Sequence, residues 1–530
     1  MSTATALLSS EELSAVLPYA LGHLYSNGGI FLSSSRAPND GVIHAPFSLL
    51  PWHFPQGLLN QGLSLAIPFN NLVDSVSRDS AWLLGALERT AGADSFTGRL
   101  VDMYRSELAR EAEAVKAGGG PVQNPLRLGI HRSDYMLTSN SEDSKGDFFL
   151  KQVELNTVAS SMAGLSSIVS QLHANLPLRF ASELPNVFKY FSQDGTSFSG
   201  ARPSTANRDL AFALKEAHFA YLKGYSGGAP PPGILVAVCM VVQPGERNSF
   251  DQRALESELW DRYGVVLRYA TLAELGRVAP HPPAPSHGIL HNHASAPPLF
   301  LPPRGPGGPC TEVSVVYYRA GYTPGDYPSE LEWTGRDFVE ASRAIKCPCL
   351  AYHLAGTKKV QQLLANPGVL ERFVKEKESV ASLRGCFAGL WSLDVREGGD
   401  VSGAIEAARK NPSHYVIKPQ REGGGNNLFN DSVADALRIE GGMPPDQLAG
   451  YILMERLFPP LKPCVFVRNG AVKQSMGSCE LGVYGVFLGD GVAPPLLNLP
   501  AGTLLRTKLE GSDEGGVAAG FAVIDSVWAV

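Results

Sequence analysis

The chain has 530 residues, including 55 glycines and 39 prolines, and is 44% hydrophobic and 18% charged. This composition is typical of globular proteins, and the length predicts two or more structural units. The formal net charge of −6 excludes an electrostatic nucleic-acid binder, because such a protein carries a basic surface. An anionic ligand must therefore be held by a few placed cations.

The N-terminal segment carries Glu11 and Glu12 and has no lysine or arginine before Arg36. Secretory signals have a basic n-region and organelle transit peptides are rich in arginine, so neither is predicted. The longest apolar run, residues 234–242, is too short to span a bilayer. We therefore expect a cytoplasmic protein.

The seven cysteines form no CxxC pair, and so sparse and odd a number favours a reducing compartment. Cys347 and Cys349 stand in the sequence KCPC, which is a weak metal pattern because a second ligand pair is missing. Buried or free thiols are the favoured interpretation.

The middle of the chain predicts a small βαβ unit. The loop-forming sequence GYSGGAPPPG precedes the apolar run at 234–242, which has the composition of a buried parallel strand. A helical pattern follows at 251–262 and a second strand pattern at 265–269. This alternation is typical of a doubly wound sheet.

Residues 278–309 are rich in proline, histidine, glycine and alanine, and they include His281, His287, His291 and His293. A metal site is one interpretation. We favour a solvated insertion, because proline-rich loops rarely hold several side chains in convergent geometry.

The remaining elements alternate in the same way. Strands are predicted at 313–318, 415–418, 451–455 and 474–488, and helices at 333–344 and 358–364.

The strongest local pattern is KPQREGGGNN at 418–427, directly after an apolar strand. Three glycines allow the backbone to approach a ligand and point N–H groups at phosphate oxygens. Lys418 can reach a phosphate, and Glu422 can bind Mg²⁺. The loop lacks the ending of a Walker A motif, and a plain turn needs no such set of charges, so we favour nucleotide binding.

A second pattern, KQVELNT at 151–157, places Glu154 and Asn156 on one face of a strand. Two oxygen donors side by side suit Mg²⁺, which shares its remaining positions with phosphates. Taken alone, the pair also fits the polar face of an edge strand.

Two further segments concentrate cations. AGTKK at 355–359 opens a predicted helix, where the positive end of the dipole favours anions. Arg506 and Lys508 precede the glycine-rich segment 515–520. Each pair alone also fits a solvated surface. Together these residues predict an ATP-using, Mg²⁺-dependent enzyme without a P-loop, whose substrate stays open.

Several long motifs resemble the eukaryotic glutathione synthetase family. They are NDGVIHAPFSLLP (39–51), HRSDYM (131–136), ERNSFDQR (246–253), SRAIKCP (342–348), LAGTKKVQQ (354–362), KPQREGGGNN (418–427), LLRTK (504–508) and GGVAAG (515–520). The resemblance covers nearly the whole chain in the family's order.

The resemblance implies an α/β protein with an ATP-grasp fold, a separate small doubly wound substrate domain and a glycine-rich lid. We expect the N-terminal part of the ATP-grasp body at 1–233 and the substrate domain, with its insertion at 278–309, at 234–347. The nucleotide-binding part of the ATP-grasp fold, with an alanine- and glycine-rich C-terminal loop, is expected at 348–530. A homodimer is also implied. The implied reaction uses ATP and Mg²⁺ to join γ-glutamylcysteine to glycine through an acyl phosphate.

The resemblance also implies roles for individual residues. The Mg²⁺ ligands would be Glu154, Asn156 and Glu422. The nucleotide would be bound by Lys358, Lys418, Gln420, Arg421, Glu422, Gly423, Gly424, Gly425, Asn426, Asn427, Met454, Glu455, Arg456, Leu457, Glu480, Lys508 and Glu514. The peptide substrates would be bound by Arg132, Val158, Ala159, Ser160, Ser161, Glu246, Arg247, Asn248, Gln252, Arg319, Ala320, Gly321, Tyr322, Arg506, Val517 and Ala518. Arg132 and Arg506 would lie around the reacting carboxyl group and the glycine, and Val517 and Ala518 would close over the glycine end. The residues that match the family's γ-glutamyl-binding set are Glu246, Asn248, Gln252, Arg319 and Tyr322.

Three positions depart from the family pattern. Phe429 stands where a tyrosine is frequent, Arg456 where lysine is common, and Ala320 where some members carry aspartate. Two alternatives stay open at this point: a homoglutathione-type enzyme that uses β-alanine, and a non-catalytic ATP- or thiol-binding relative.

Overall fold

A computed structural model of the chain describes residues 6–33, 41–116, 126–139, 148–192, 198–225, 230–278, 296–305, 308, 310–397, 401–420, 425–513, 515–518 and 520–530. Its α-helices are α1 (Ser10–Ser26), α2 (Gln56–Arg78), α3 (Ser80–Ala93), α4 (Ser95–Lys116), α5 (Ala163–Phe180), α6 (Pro185–Phe191), α7 (Ala206–Leu222), α8 (Ser249–Tyr263), α9 (Leu272–Arg277), α10 (Glu330–Ala341), α11 (Leu350–Ala355), α12 (Lys358–Ala365), α13 (Leu370–Phe373), α14 (Lys377–Cys386), α15 (Val401–Lys410), α16 (Asp431–Ala436) and α17 (Pro445–Leu448).

Its β-strands are β1 (Ile30–Leu32), β2 (Val42–His44), β3 (Phe47–Ser48), β4 (Trp52–Phe54), β5 (Arg127–Thr138), β6 (Phe149–Asn156), β7 (Leu235–Val241), β8 (Leu267–Ala270), β9 (Phe300–Leu301), β10 (Thr311–Tyr318), β11 (Ile345–Cys347), β12 (Leu390–Ser392), β13 (Tyr415–Pro419), β14 (Leu428–Phe429), β15 (Tyr451–Glu455), β16 (Lys462–Arg468), β17 (Ala471–Gly489), β18 (Leu497–Leu509), β19 (Ala522–Asp525) and β20 (Val527–Ala529).

The largest sheet has the order β16-β3-β19-β18-β17-β5-β6. It combines strands from the two ends of the chain, since β3, β5 and β6 come early and β16 to β19 come last. Its neighbours are antiparallel except for β19 and β3. Helix α2 packs against β17 and β18, and its Leu65 and Phe69 share a core with Leu481 and Val483 of β17. Side chains that alternate with those two therefore lie on the other face of the sheet.

A parallel sheet with the strand order β11-β10-β7-β8 occupies the middle of the chain, and β9 pairs antiparallel with β10. Helix α8 connects β7 to β8, which confirms the predicted βαβ unit. The chain extends the sheet first to one side of β7 and then to the other, as in a doubly wound sheet.

A four-stranded antiparallel sheet has the order β12-β15-β13-β14. It has its own core, in which Ile417 and Leu453 pack with Val401 and Ile405 of α15. Strand β13 runs directly into the glycine-rich segment, as the sequence predicts.

The predicted helices at 251–262 and 358–364 correspond to α8 and α12 within two residues at each end, whereas a third predicted helix is shifted toward the N-terminus. The pattern at 333–344 corresponds to α10, Glu330–Ala341. The helix starts earlier because Ser329 and Glu332 form a capping box. It ends earlier because Ser342 is extended and Ile345 already begins β11.

The two alternative metal patterns receive no support from the described residues. Cys347 and Cys349 are free and buried, and no group of three or more His, Cys, Asp or Glu side chains converges in the described part of the chain. The four histidines of the 278–309 segment lie outside the described residues. Within the described ranges, no helix is long and apolar enough to cross a membrane.

Candidate active site

The polar face of the large sheet carries the predicted catalytic and metal-binding side chains. Strand register pairs Arg132 with Asn156 across β5 and β6, and Glu480 with Arg506 across β17 and β18. Residues two apart along a strand share a face. Asp134, Glu154 and Lys508 therefore project from this same face.

The small sheet provides the opposite wall of a cavity of about 450 Å³. Val416 and Lys418 of β13, Phe429 of β14 and Met454 of β15 line it. The cavity is thus bounded by an apolar, aromatic side and by a strongly charged side. A volume of this size suits a small-molecule ligand.

Many of the predicted site residues line this one cavity. They are Arg132, Glu154, Asn156, Val158, Ala159, Ser161, Tyr322, Lys418, Asn427, Met454, Glu455, Arg456, Leu457, Glu480, Arg506, Lys508, Val517 and Ala518.

Glu154 is surrounded by cations. Its Oε2 lies 3.5 Å from Nζ of Lys358, and Lys418 donates a hydrogen bond of 3.0 Å to the carbonyl oxygen of the adjacent Val153. Burial raises the pKa of Glu154, but Lys358, Lys418 and the two arginines outweigh it and lower the pKa to about 2. Glu154 is therefore ionised at neutral pH, which a metal ligand requires.

Arg506 and Glu480 form a buried pair. The guanidinium of Arg506 donates to Oε1 of Glu480 and, at 2.9 Å, to Oδ2 of Asp134. Burial raises the pKa of Glu480, and the nearby carboxylates Asp134 and Glu154 add to this against the effect of Arg506. Burial opposes the charge of Arg506, but Glu480 and Asp134 raise its pKa above the ordinary value.

Asn156 has a side-chain amide group whose donor side is occupied. Its Nδ2 donates to Asp134 Oδ2 at 3.0 Å and to Glu154 Oε1 at 3.3 Å. This orientation leaves Oδ1 of Asn156 as an acceptor beside the ionised Glu154. A carboxylate and an amide oxygen on adjacent positions are a donor set that suits Mg²⁺.

The C-terminal loop, described at 509–513 and 515–518, lines the charged side of the cavity. Nζ of Lys508 donates to the carbonyl oxygen of Asp513 at 2.9 Å, and Arg456 forms an ion pair with the Asp513 carboxylate at 2.7 Å. A Cβ atom at Gly515 would lie 2.9 Å from Oε2 of Glu480. A side chain at this position would therefore displace the carboxylate of Glu480.

The residues assigned to the γ-glutamyl group lie next to the cavity around Met162 and Tyr322, which line it. Asn248 Nδ2 is 3.5 Å from the sulfur of Met162. Oδ1 of Asn248 and Nε2 of Gln252 are buried and have no hydrogen-bond partner among the described residues. Such buried polar atoms are costly unless a ligand or water satisfies them.

Arg319 is held by a buried ion pair. Its Nη2 lies 2.9 Å from Oδ2 of Asp251, and the same carboxylate accepts the backbone N–H groups of Met162 and Gly164 at 2.9 and 2.8 Å. Burial opposes the charge of Arg319, but Asp251 raises its pKa. Asp251 thus ties the arginine to the start of α5.

Several predicted residues have other environments. The Ser160 hydroxyl donates to the Ile130 carbonyl. Arg247 donates to the carbonyl oxygen of Leu32 at 3.1 Å, and Gln420 Oε1 accepts the backbone N–H of Lys359. Glu246, Ala320, Gly321, Gly425 and Asn426 are described but are not among the lining residues. Arg421, Glu422, Gly423, Gly424 and Glu514 lie outside the described residues.

The sequence interpretation missed Asp134, which contacts three assigned residues. It also missed the cavity-lining Phe458, Ser478 and Asp513. A signal for Asp134 existed, because HRSDYM places it two positions after Arg132 and so on the same strand face.

The family model for the eukaryotic glutathione synthase ATP-binding domain matches residues 10–528. The chain belongs to this family. It is 39% identical to the chloroplastic glutathione synthetase of Arabidopsis thaliana, over 94% of this chain and 81% of that protein.

It is 36% identical to the glutathione synthetase of Dictyostelium discoideum, over 97% of this chain and 99% of that protein. The human glutathione synthetase is 37% identical, over 95% and 94% of the two chains. Among solved structures, a glutathione synthetase-like effector from Globodera pallida in its apoform matches all of both chains with a TM-score of 0.67. Its sequence identity of 20% means that this match shows the fold alone.

Proposed function

We propose that this member of the glutathione synthase family joins γ-glutamylcysteine to glycine through an acyl phosphate, with cleavage of ATP to ADP and phosphate. The proposal rests on the cavity between the large sheet and the small sheet. One side of it collects residues assigned to the nucleotide, and the other collects residues assigned to the peptide and to glycine. This is also the arrangement expected of an ATP-grasp fold.

The nucleotide would lie against the small sheet. Val416, Phe429 and Met454 offer apolar surface for a base, and Lys358 and Lys418 flank Glu154, where phosphates and a metal would meet. Mg²⁺ would be held by Glu154, Asn156 and Glu422. When bound, it supplies positive charge that offsets the charge of the transferred phosphoryl group.

The dipeptide would lie against α5 and the middle sheet. The unsatisfied amide atoms of Asn248 and Gln252 and the charge of Arg319 fit the carboxylate and ammonium groups of a γ-glutamyl moiety. Tyr322 continues this surface to the cavity itself.

Arg132 and Arg506 would act at the reacting end. In the proposed sequence, the cysteinyl carboxylate attacks the γ-phosphorus of ATP and ADP leaves. The glycine amine then attacks the acyl carbon, the bond from that carbon to the bridging oxygen breaks, and phosphate leaves with this former carboxylate oxygen. Negative charge develops on the reacting groups in both steps, and fixed guanidinium groups stabilise it. The nucleophiles are the substrate carboxylate and the glycine amine, so no side chain need act as one.

The C-terminal loop would complete the glycine end. Val517 and Ala518 line the cavity, and the contacts of Lys508 and Arg456 with Asp513 hold the loop beside Glu480. A closed loop keeps water from the acyl phosphate. The family membership does not favour the β-alanine enzyme or a non-catalytic relative.

The subunit and domain arrangements remain proposals. The domain boundaries after residues 233 and 347 follow from the family resemblance. The homodimer follows from it too, and light scattering coupled to gel filtration measures the subunit number directly. The cytoplasmic location also stays a prediction, since the Arabidopsis relative is named as chloroplastic.

The deciding experiment measures ADP release with γ-glutamylcysteine, ATP and Mg²⁺, in parallel reactions with glycine, β-alanine or no amine. We expect turnover that depends on glycine and gives glutathione by mass spectrometry. Glu154→Gln should lose most of this turnover while remaining folded, because it removes the charge beside Lys358. A preference for β-alanine, or ATP binding without turnover, would contradict the proposal.

A further inference from the structure

Asp134 is fully buried between the two arginines of the cavity. Its Oδ1 accepts a hydrogen bond from Nε of Arg132 at 2.7 Å, and its Oδ2 accepts one from Nη2 of the same arginine at 2.9 Å. Oδ2 also accepts from Nη2 of Arg506 at 2.9 Å and from Nδ2 of Asn156 at 3.0 Å. One carboxylate therefore contacts three residues that the resemblance assigns to catalysis and metal binding.

The strand order produces this convergence. Strand β5 lies between β6, which carries Asn156, and β17, and Arg506 of β18 reaches across β17. The residue of β17 paired with Asp134 is Gly482. A Cβ atom there would lie 2.8 Å from Oδ1 of Asp134 and 2.9 Å from Cδ of Arg132. Because glycine has no side chain, position 482 leaves the space that the ion pair between Asp134 and Arg132 occupies.

Two guanidinium groups so close together repel each other. Arg132 tends to lower the pKa of Arg506, whereas Glu480 and Asp134 raise it after the opposing effect of burial. Glu480 contacts only one of the two arginines, but Asp134 contacts both. It is therefore the carboxylate that can fix their relative position.

The contacts of Arg132 also limit which atoms remain for a ligand. Its Nε and Nη2 are directed to Asp134, and Nη1 donates to the carbonyl oxygen of Ser161 at 3.2 Å. A guanidinium held at three nitrogens presents its remaining N–H groups in one direction. Preorganised donors of this kind lose little energy in reorganisation during the reaction.

We propose that Asp134 is a positioning residue that holds Arg132 and Arg506 at the geometry required by the reacting carboxyl group and glycine. It also holds the amide nitrogen of Asn156, which leaves the amide oxygen as the atom that would bind Mg²⁺. This inference rests on the proposed function. Asp134 is not among the residues that line the cavity, so it acts through the arginines and not by contact with the substrates.

The first test is Asp134→Asn, which keeps the shape of the side chain but removes its charge and turns one acceptor into a donor facing an arginine. The substitution should displace Arg132 and Arg506, and a displacement of about 1 Å near the reacting atoms costs about 100-fold in kcat/KM. We expect such a loss for γ-glutamylcysteine. Isothermal titration without nucleotide or metal should show weaker binding of the dipeptide, whereas ADP binding without metal should not weaken.

A matched control is Glu340→Gln. Glu340 and Arg336 form another fully buried ion pair, with Oε1 and Nε 2.7 Å apart, and neither residue lines the cavity. This variant should lose thermal stability but keep kcat/KM and the dissociation constant for the dipeptide. A purely structural role of Asp134 would give the same result for Asp134→Asn and would overturn the proposal.

The second test moves the ion pair without removing any charge. Gly482→Ala inserts a methyl group against Asp134 and Arg132, and Gly85→Ala inserts one on α3 where no atom lies within 4 Å. We expect the first variant to lower kcat/KM for the dipeptide and the second to leave it unchanged. Equal kcat/KM values for Gly482→Ala and Gly85→Ala would overturn the role of Asp134. This comparison decides the question even when Asp134→Asn does not fold.

A wild-type protein that makes no glutathione refutes the proposed function. Wild-type turnover that Asp134→Asn and Gly482→Ala leave intact refutes only the role of Asp134.

Discussion

At the scale of single residues, the chain buries carboxyl groups in two different ways. Glu154 lies among lysines and arginines that lower its pKa to about 2. Asp525, on the opposite face of the same sheet, forms no ion pair with a lysine or arginine of the described residues, and burial raises its pKa to about 7 against hydrogen bonds from Thr507 and Ser526. The ionised Glu154 is therefore suited to a site for metal and phosphate, whereas Asp525 is suited to a buried position in which the carboxyl group is protonated.

Asp525 makes the stability of the protein depend on pH. A carboxyl group whose pKa is raised on folding adds stability at low pH, which is lost as the pH rises through about 7. We expect Asp525→Asn, which cannot ionise, to be more stable than wild type by roughly 4 kcal/mol at pH 8. The difference should vanish near pH 4 in denaturant unfolding series.

Asp490 provides the control for this prediction. Hydrogen bonds from the backbone N–H of Val492 and its neighbours lower the pKa of Asp490, which lies near the surface. Asp490→Asn should therefore show no gain in stability over wild type between pH 6 and pH 8. A pH-independent difference between wild type and Asp525→Asn would mean that Asp525 is ionised in the folded protein.

At the scale of elements, α5 begins without a capping side chain of its own. Met162 precedes it with a φ of 78° and makes no side-chain cap. The first N–H groups instead donate to Asp251 of α8, which also binds Arg319. The start of one helix and the position of a predicted substrate arginine thus depend on the same carboxylate.

We expect Asp251→Asn to lower the free energy of unfolding by roughly 3 kcal/mol, because a buried ion pair and a helix cap are both weakened. The dissociation constant for γ-glutamylcysteine should rise in the same variant, since Arg319 loses its partner. Calorimetric titration measures this constant directly.

Ser9→Ala is the matched control for helix capping. Ser9 caps α1, and its loss should cost about 1 kcal/mol without changing the affinity for the dipeptide. An Asp251→Asn protein that is destabilised but binds the dipeptide normally would show that Asp251 acts only as a cap.

At the scale of the whole molecule, ligand binding should stabilise both sheets together, because the cavity lies between them. At a ligand concentration 100 times the dissociation constant, binding adds about 2.7 kcal/mol to the folded state. We expect a non-hydrolysable ATP analogue with Mg²⁺ to raise the melting temperature in calorimetry, and to raise it less when Mg²⁺ is replaced by EDTA.

Glu154→Gln should lose the Mg²⁺-dependent part of this shift. Glu113→Gln, on the exposed side of α4, should keep it. The assignment of Glu154 as a metal ligand is wrong if both variants respond to Mg²⁺ as the wild type does.

The sequence alone was sufficient for local features. Strand periodicity predicted that Glu154 and Asn156 share a face, and the structure confirms both positions on β6. The apolar run before Lys418 predicted β13, and the βαβ unit around α8 was also correct. These features depend on neighbours within a few residues, so the local pattern of apolar, glycine and charged residues determines them.

Only the tertiary structure decided which of these features meet. Asp134 and Arg506 are 372 positions apart, and their contact exists because β17 lies between β5 and β18 in a sheet built from both ends of the chain. Strand order and register follow from the burial of distant apolar faces against one another, which no local pattern encodes. The sequence by itself determined the chemical groups and the family, whereas the fold decided that one buried carboxylate lies between two arginines.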